Sequence, residues 1–220
     1  MTDLPAELLE FYNKNLNYTN TIHKSVRDAQ EDIECAYYPI DFNFDTELLL
    51  RECQSVDDLY FNHRSQDKKK GYGHLGWQSL TLHGIDKHKT EHYTKYGFTS
   101  LEEAKYHWTD ACDRVPNLYK FLSSLPYRVF DRVRIMRLAP GGYVMPHTDG
   151  PGRIFSPLNI AINNPTDCSF VFQDKGIVPF SAGKGMILDV ARNHIVVNNS
   201  DEARYHIIVH GYYSEDFFKL

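Results

Sequence analysis

Neither an excess of positive charge nor a long apolar run occurs in this chain, and each absence removes a class of function. Lys and Arg number 24 against 29 Asp and Glu, a formal charge of -5, whereas a protein that tracks phosphate backbones leans the other way. No apolar stretch approaches the roughly 18 residues of a membrane span, so no membrane role is expected. The opening residues Met1 to Glu7 lack the form of a secretory leader. Cysteine is sparse as well: Cys35, Cys53, Cys112 and Cys168 stand far apart with no Cys-x-x-Cys. That spacing argues against disulfide staples and thiolate zinc, and for buried free thiols in a cytoplasmic setting. Internal repeats and low-complexity tracts are missing too.

What is present supports a sizeable core. With 220 residues, 42% hydrophobic and 14% aromatic, one domain over residues 1–220 is the simplest reading. The first 130 residues read as helix-rich support. Leu8, Leu9, Phe11 and Tyr12 form an apolar stripe between Pro5 and Asn15. A strand follows over Tyr37 to Phe44, and Asp45-Thr46 caps a helix holding Leu48, Leu49 and Leu50. Residues 64–76 gather Arg64, three lysines at 68–70 and glycines at 71, 73 and 76. The plain reading is a solvated loop; the sharper one is a lid that brings Lys70, His74 or Trp77 onto substrate. Beyond a strand at Trp77 to His83, Ser100 with Glu103 makes a capping box for a helix through about Cys112. Pro116 opens another helix that ends near Pro126.

From Phe130 the pattern changes to eight short strands separated by turn residues, among them Pro140-Gly141-Gly142, Asn163-Asn164-Pro165, Gly183-Lys184-Gly185 and Asn198-Asn199-Ser200-Asp201. The expectation is a mainly β fold, a double-stranded β-helix (jelly roll, cupin-like) over residues 131–213 backed by helices on one sheet. In the last strand, Arg204 to Tyr213, alternation puts Arg204, His206, Ile208 and His210 on one face and Tyr205, Ile207 and Val209 on the other. The apolar face should meet helices. A barrel interior tolerates the ionisable face only as a functional cavity.

Within this region Pro146-His147-Thr148-Asp149-Gly150 is the centre of interest. His-x-Asp alone proves little: 11 His and 18 Asp in 220 residues give roughly one by chance. In an extended segment, however, His147 and Asp149 project from one face and can grip one ion. A second imidazole completes two nitrogens and a carboxylate on one side of a metal. That facial set is used by non-haem Fe(II) oxygenases because it leaves three positions open; zinc sites usually fill four. His194, His206 and His210 compete for the role. His194 precedes a turn that returns Arg204 beside it, whereas only Lys219 supplies a cation after the other two. Hence His194 is preferred, and His206 and His210 are expected to be hydrogen-bonded interior histidines. Arg204 suits the far end of a dicarboxylate such as 2-oxoglutarate, since guanidinium matches carboxylate in two parallel hydrogen bonds. A structural salt bridge is its plainer alternative.

The segments Pro140-Gly141-Gly142, Pro146 to Gly150, Gly185 to Asp189 and His194 to Arg204, in that order, resemble the aspartyl/asparaginyl β-hydroxylase family of Fe(II)- and 2-oxoglutarate-dependent dioxygenases. The likeness covers about Arg132 to Gly211. It implies His147 and His194 as iron ligands and Arg204 as the clasp on 2-oxoglutarate. It also implies hydroxylation of a C–H bond, with O2 consumed and 2-oxoglutarate decarboxylated to succinate and CO2. Animal members of that family lack the ligand carboxylate; Asp149 gives this chain the wider superfamily's full triad. The same residue argues against related halogenases, which vacate that position.

Substrate choice is less defined. Arg134, Met136 and Leu138 share one strand face, and Tyr143 has the parity of His147; Arg153, Asn159 and Trp77 are further candidates to touch substrate. Interior arginines favour a small molecule or peptide bearing a carboxylate, such as an amino acid or an acidic side chain. A cupin-like metal-dependent isomerase or a non-catalytic ligand-binding barrel shares the architecture. A nucleic-acid demethylase ranks last, because no arginine follows Arg204 and the chain is acidic.

Overall fold

The computed structural model describes residues 4–17, 20–63 and 73–220. Lys70 and most of the basic, glycine-rich loop over 64–76, namely residues 64–72, lie outside the described residues, and with them the choice between solvated loop and lid.

The helices come early and are set by local signals. Helix α1 spans Ala6–Lys14. Helix α2, Val26–Glu31, starts where the Ser25 side chain accepts the Asp28 N–H; at six residues it carries too little periodicity to be read from sequence. Helix α3, Thr46–Ser55, begins at the expected cap, the Asp45 side chain accepting the Leu48 N–H. Helix α4 corrects an expectation. The Ser100 cap forms, but the helix covers only Leu101–Ala104 instead of running to Cys112. Lys105 turns left-handed at φ 52°, and His107-Trp108 then pair as a strand, so strand pairing overrides local helix preference. Helix α5 is Pro116–Ser123.

Eleven strands are described: β1 Tyr37–Asp41, β2 Phe61–Asn62, β3 His74–Gly84, β4 His107–Trp108, β5 Tyr127–His147, β6 Phe155–Ala161, β7 Cys168–Phe172, β8 Gly176–Ile177, β9 Lys184–Asp189, β10 His194–Asn198 and β11 Arg204–Tyr213. All their pairings are antiparallel. The larger sheet runs β3-β5-β11-β6-β9-β1, with β2 and β4 on the outer side of β3. The first 130 residues therefore supply four strands of this sheet, β1 to β4, in addition to helices.

Strand β5 belongs to both layers. Residues 127–138 pair with β11 and residues 143–147 with β10, which continues to β7 and β8. The crossover lies at Pro140-Gly141-Gly142. Gly141 holds φ +67°, and a Cβ on Gly142 would meet the Ala139 and Leu75 carbonyl oxygens at 2.8 and 2.9 Å, so this corner requires glycine.

Each face of the larger sheet has its own packing partner. Tyr205, Ile207 and Val209 of β11 are buried with Leu49 and Cys53 of α3 and Leu118 and Leu122 of α5. The opposite face meets the smaller sheet through Leu138, Val144, Phe170, Phe172, Met186 and Val196. Leu8 of α1 covers the outside of the smaller sheet against Val171, Ile195 and Val197. The result is a curled antiparallel sandwich with helices against the larger sheet, the expected jelly roll. Cys35, Cys53, Cys112 and Cys168 are buried free thiols.

Candidate metal centre and co-substrate cavity

Between the sheets lies a cavity of about 320 Å³. His147 at the end of β5 and His194 at the start of β10 are direct cross-strand partners. Their rings lie 4.2 Å apart between centroids. Asp149 follows in a bend, its backbone N–H donating to the Val190 carbonyl at 2.9 Å. One ligand-capable atom from each of His147, Asp149 and His194 lies within 4.8 Å of the other two. The imidazoles are buried, while the Asp149 side chain is 34% exposed, so the set opens on the carboxylate side.

Both histidines are oriented alike. His147 Nδ1 lies 2.8 Å from the Met145 carbonyl oxygen and His194 Nδ1 lies 2.8 Å from that of Arg192. A carbonyl oxygen can only accept, so each ring carries its proton on Nδ1 and keeps the Nε2 lone pair for a ligand. Phe170 stacks on the His194 ring at 4.9 Å and 12°, fixing its plane with an apolar wall. Sequence reasoning missed these supports: backbone carbonyls leave no residue signature, and Phe170 reads only as a core aromatic.

Arg204 lines the same cavity and is buried. Its Nη2 lies 2.8 Å from His206 Nδ1, its guanidinium carbon sits 5.7 Å from the Phe180 ring centroid, and its Nε has no hydrogen-bond partner among the described residues. No carboxylate among them pairs with it, and burial pulls its pKa below the usual arginine value. The plainer alternative, a structural salt bridge, therefore has no acceptor among the described residues.

His206 is fully buried, with Nδ1 also 2.7 Å from Asn159 Oδ1. One ring nitrogen offers either a proton or a lone pair, so the Asn159 and Arg204 contacts compete. Burial first and the Arg204 charge second hold His206 neutral, its pKa well below the ordinary histidine value. His210 accepts from Arg134 Nη2 at 3.1 Å. Its pKa too is held well down, by burial and then by Arg132, Arg134 and His92.

The residues expected to touch substrate separate into two groups. Arg134, Asn159 and Trp77 line the cavity. Arg134 Nη1 also donates to the Thr90 carbonyl at 2.9 Å, and Trp77 packs edge-on to His63 at 4.3 Å. His74 lies 5.5 Å from Trp77 by ring centroid.

Tyr143 and Arg153 do not line it. Tyr143 packs on the outer cluster with Leu8, Val171 and Ile195. His147 pairs with His194 but Val144 pairs with Val196, so β5 carries one extra residue, and this bulge reverses the parity that linked Tyr143 to His147. Arg153 donates to the carbonyls of Ala29 at 2.8 Å, Gln30 and Cys35 at 3.4 Å, tying down the end of α2.

A β-sandwich with two histidines and one carboxylate converging beside a buried arginine defines the class of Fe(II)- and 2-oxoglutarate-dependent dioxygenases. The comparisons agree: a family model described as aspartyl/asparaginyl β-hydroxylase matches residues 45–212, and the chain belongs to that family. Among solved structures, a Trichoplax adhaerens prolyl hydroxylase in complex with a hypoxia inducible factor peptide fragment aligns with TM-score 0.50 at 12% identity, covering 84% of this chain and 86% of its own. A 2OG-Fe(II) oxygenase family oxidoreductase from Burkholderia pseudomallei aligns with TM-score 0.49 at 12% identity, covering 88% and 93%. At such identities the first of these supports the fold alone. No curated protein matches the chain. The protein is thus a 2-oxoglutarate-dependent dioxygenase that uses Fe(II), 2-oxoglutarate and O2. No described helix is long and apolar enough to cross a membrane.

Proposed function

We propose that His147, Asp149 and His194 hold the iron, that Arg204 receives the remote carboxylate of 2-oxoglutarate, and that the substrate is a carboxylate-bearing amino acid or peptide side chain hydroxylated at a C–H bond. The observation carrying this reading is the buried Arg204 guanidinium without a carboxylate partner among the described residues, in the cavity onto which the three ligand residues converge. A buried charge left in that state is costly; an arriving carboxylate supplies the missing acceptor.

When bound, iron and 2-oxoglutarate supply the oxidation: O2 is reduced, 2-oxoglutarate becomes succinate and CO2, and one oxygen atom enters the substrate C–H bond. This chain's residues do the rest. The two Nε2 lone pairs and the Asp149 carboxylate offer a facial donor set. Arg204 orients the co-substrate in two parallel hydrogen bonds. Phe170, Leu188, Val190 and Val196 give the cavity a dry wall that limits water near the reacting atoms.

Arg134 is the candidate anchor for the substrate carboxylate. On β11, Arg204 faces Leu138 and Ile208 faces Arg134, a separation of four residues or about 13 Å at roughly 3.3 Å each. The two cations can thus serve different carboxylates. Trp77 and Asn159 border the space between. A peptide is a natural candidate, since the Trichoplax prolyl hydroxylase was solved with one bound. The net acidic chain and four buried thiols support a cytoplasmic protein that does not act on nucleic acid, and the continuous sheet supports one domain over residues 1–220.

Anaerobic Fe(II) titration with 2-oxoglutarate tests the centre. A visible charge-transfer band is expected, abolished in His147→Ala and weakened in Arg204→Ala. Succinate release above the no-substrate rate, screened over amino acids and acidic peptides, tests the substrate class. No band, with 2-oxoglutarate bound no better than succinate, leaves the isomerase or ligand-binding barrel. A band without turnover on any carboxylate-bearing compound overturns the substrate reading alone.

A further inference from the structure

Asp189 closes β9 with its carboxylate almost fully buried, and two arginines converge on it. Its Oδ2 lies 3.2 Å from Arg192 Nε and 3.7 Å from Arg153 Nε, while Oδ1 accepts the Ile154 N–H at 3.0 Å. A buried carboxylate persists only with such partners. The two arginines then lead in different directions. Arg153 runs to the carbonyls of Ala29, Gln30 and Cys35, away from the cavity. The Arg192 side chain reaches the Ile33 carbonyl, but its main chain enters the metal centre. The Arg192 N–H donates to the Asp189 carbonyl at 3.1 Å, and the Arg192 carbonyl accepts the His194 Nδ1–H at 2.8 Å. One residue after Asp189, the Val190 carbonyl accepts the Asp149 N–H at 2.9 Å, and the Val190 N–H donates to the Ile154 carbonyl at 3.2 Å.

One carboxylate therefore closes a turn whose carbonyls at 190 and 192 hold two of the three converging residues. The geometry points to Asp189 as a positioning residue of the metal centre. Its pairing with Arg192 fixes the turn over residues 189–193, so that the Arg192 carbonyl keeps the His194 proton on Nδ1, and Nε2 toward the ion, and the Val190 carbonyl holds the backbone of Asp149. This assignment rests on His147, Asp149 and His194 being the iron ligands. It adds that their affinity depends on a carboxylate that touches neither iron nor co-substrate. Outer partners of ligand histidines set ring orientation and basicity in this way.

Three full-length variants test it. Asp189→Asn keeps an acceptor for the Ile154 N–H but loses both ion pairs; Arg192→Met breaks the branch that leads to His194; Arg153→Met breaks the branch that leads to α2. For each, the anaerobic Fe(II) dissociation constant, the maximum of the charge-transfer band with 2-oxoglutarate, and the metal-free Tm are measured. Asp189→Asn and Arg192→Met should each weaken iron binding about 10–100-fold, the usual cost of a lost outer partner, and shift the band. Combining them should add little to either alone, because both remove the same pair. Arg153→Met should lower Tm and leave iron affinity unchanged.

Wild-type iron affinity in Asp189→Asn and Arg192→Met, with lowered Tm, overturns the positioning role and makes Asp189 a prop of the fold. Equal loss of iron affinity in Arg153→Met also overturns it, since general loosening then explains the result. If Asp189→Asn does not fold, the two arginine variants decide the matter. A wild-type protein without any band removes the iron-site assignment and this inference together, whereas unchanged variants beside a wild-type band remove only the inference.

Discussion

Alternate residues of β11 serve opposite ends. Tyr205, Ile207 and Val209 sit in the helical core, where each large aliphatic side chain contributes roughly 1.5–3 kcal/mol by leaving water. Arg204, His206, Ile208 and His210, interleaved with them, line the cavity. That second face holds a cation without a carboxylate among the described residues and two histidines whose protonated forms are suppressed. Such a face destabilises the empty protein, so β11 gathers stability on one side and binding potential on the other. The helix-packed face also holds still the backbone from which Arg204 projects.

The largest effect should come from the dry face. Ile207→Ala removes a fully buried side chain at a cost of about 2–5 kcal/mol. Denaturant unfolding should show that loss, while the folded fraction should bind 2-oxoglutarate as tightly as wild type. A large loss of affinity at unchanged fold would show that the two faces are not separable.

Arg204→Met should act with the opposite sign. Replacing an unpaired buried charge by an apolar chain of similar length should stabilise the co-substrate-free protein by roughly 1–4 kcal/mol. The same change should weaken 2-oxoglutarate binding about 100-fold, the scale of losing charge-assisted hydrogen bonds. A lowered Tm with retained binding would make Arg204 an ordinary structural cation and dissolve the contrast. Arg204→Lys sharpens it further: the charge stays and the planar fork is lost, so binding should fall by about tenfold, near 1.4 kcal/mol.

Much of this contrast was legible beforehand because strands have a period of two. Once Arg204 to Tyr213 is taken as a strand, its wet and dry faces follow; the same alternation suggests His147 and Asp149 as candidates for one ion, although Asp149 lies in a bend just past the end of β5. Parity failed where the backbone broke it. Strict alternation places Tyr143 inside, four residues from His147, but the bulge between them shifts the register by one. The visible hint was Pro146, which has no N–H for a ladder and so marks an irregular place in a strand. Arg153 escapes a reading by parity for another reason. Its acceptors are main-chain carbonyls of residues 29–35, and sequence says nothing about which distant backbone a side chain will reach. The short span of α4 is a third case, since cross-strand pairing of His107-Trp108 with His83-Gly84 depends on a partner far along the chain.

The smallest effect concerns protons on the wet face. His206 is buried neutral, its folded pKa lying well below the 6.5 of a free histidine, from burial first and Arg204 second. As pH falls through about 6.5, the unfolded chain takes up a proton on this residue, while the folded protein does not until far lower pH. Protonation therefore favours unfolding, and stability should decline with acidification by at most about 1.4 kcal/mol per pH unit for this histidine. His210 adds to the slope, its pKa being depressed likewise. His206→Leu should flatten the slope between pH 6.5 and 5 by close to one histidine's share. Tyr205→Phe, changed on the opposite face, should leave the slope as it is. An unaltered slope in His206→Leu would mean that His206 already carries a proton beside Arg204, and the wet face would then be more highly charged than its burial allows.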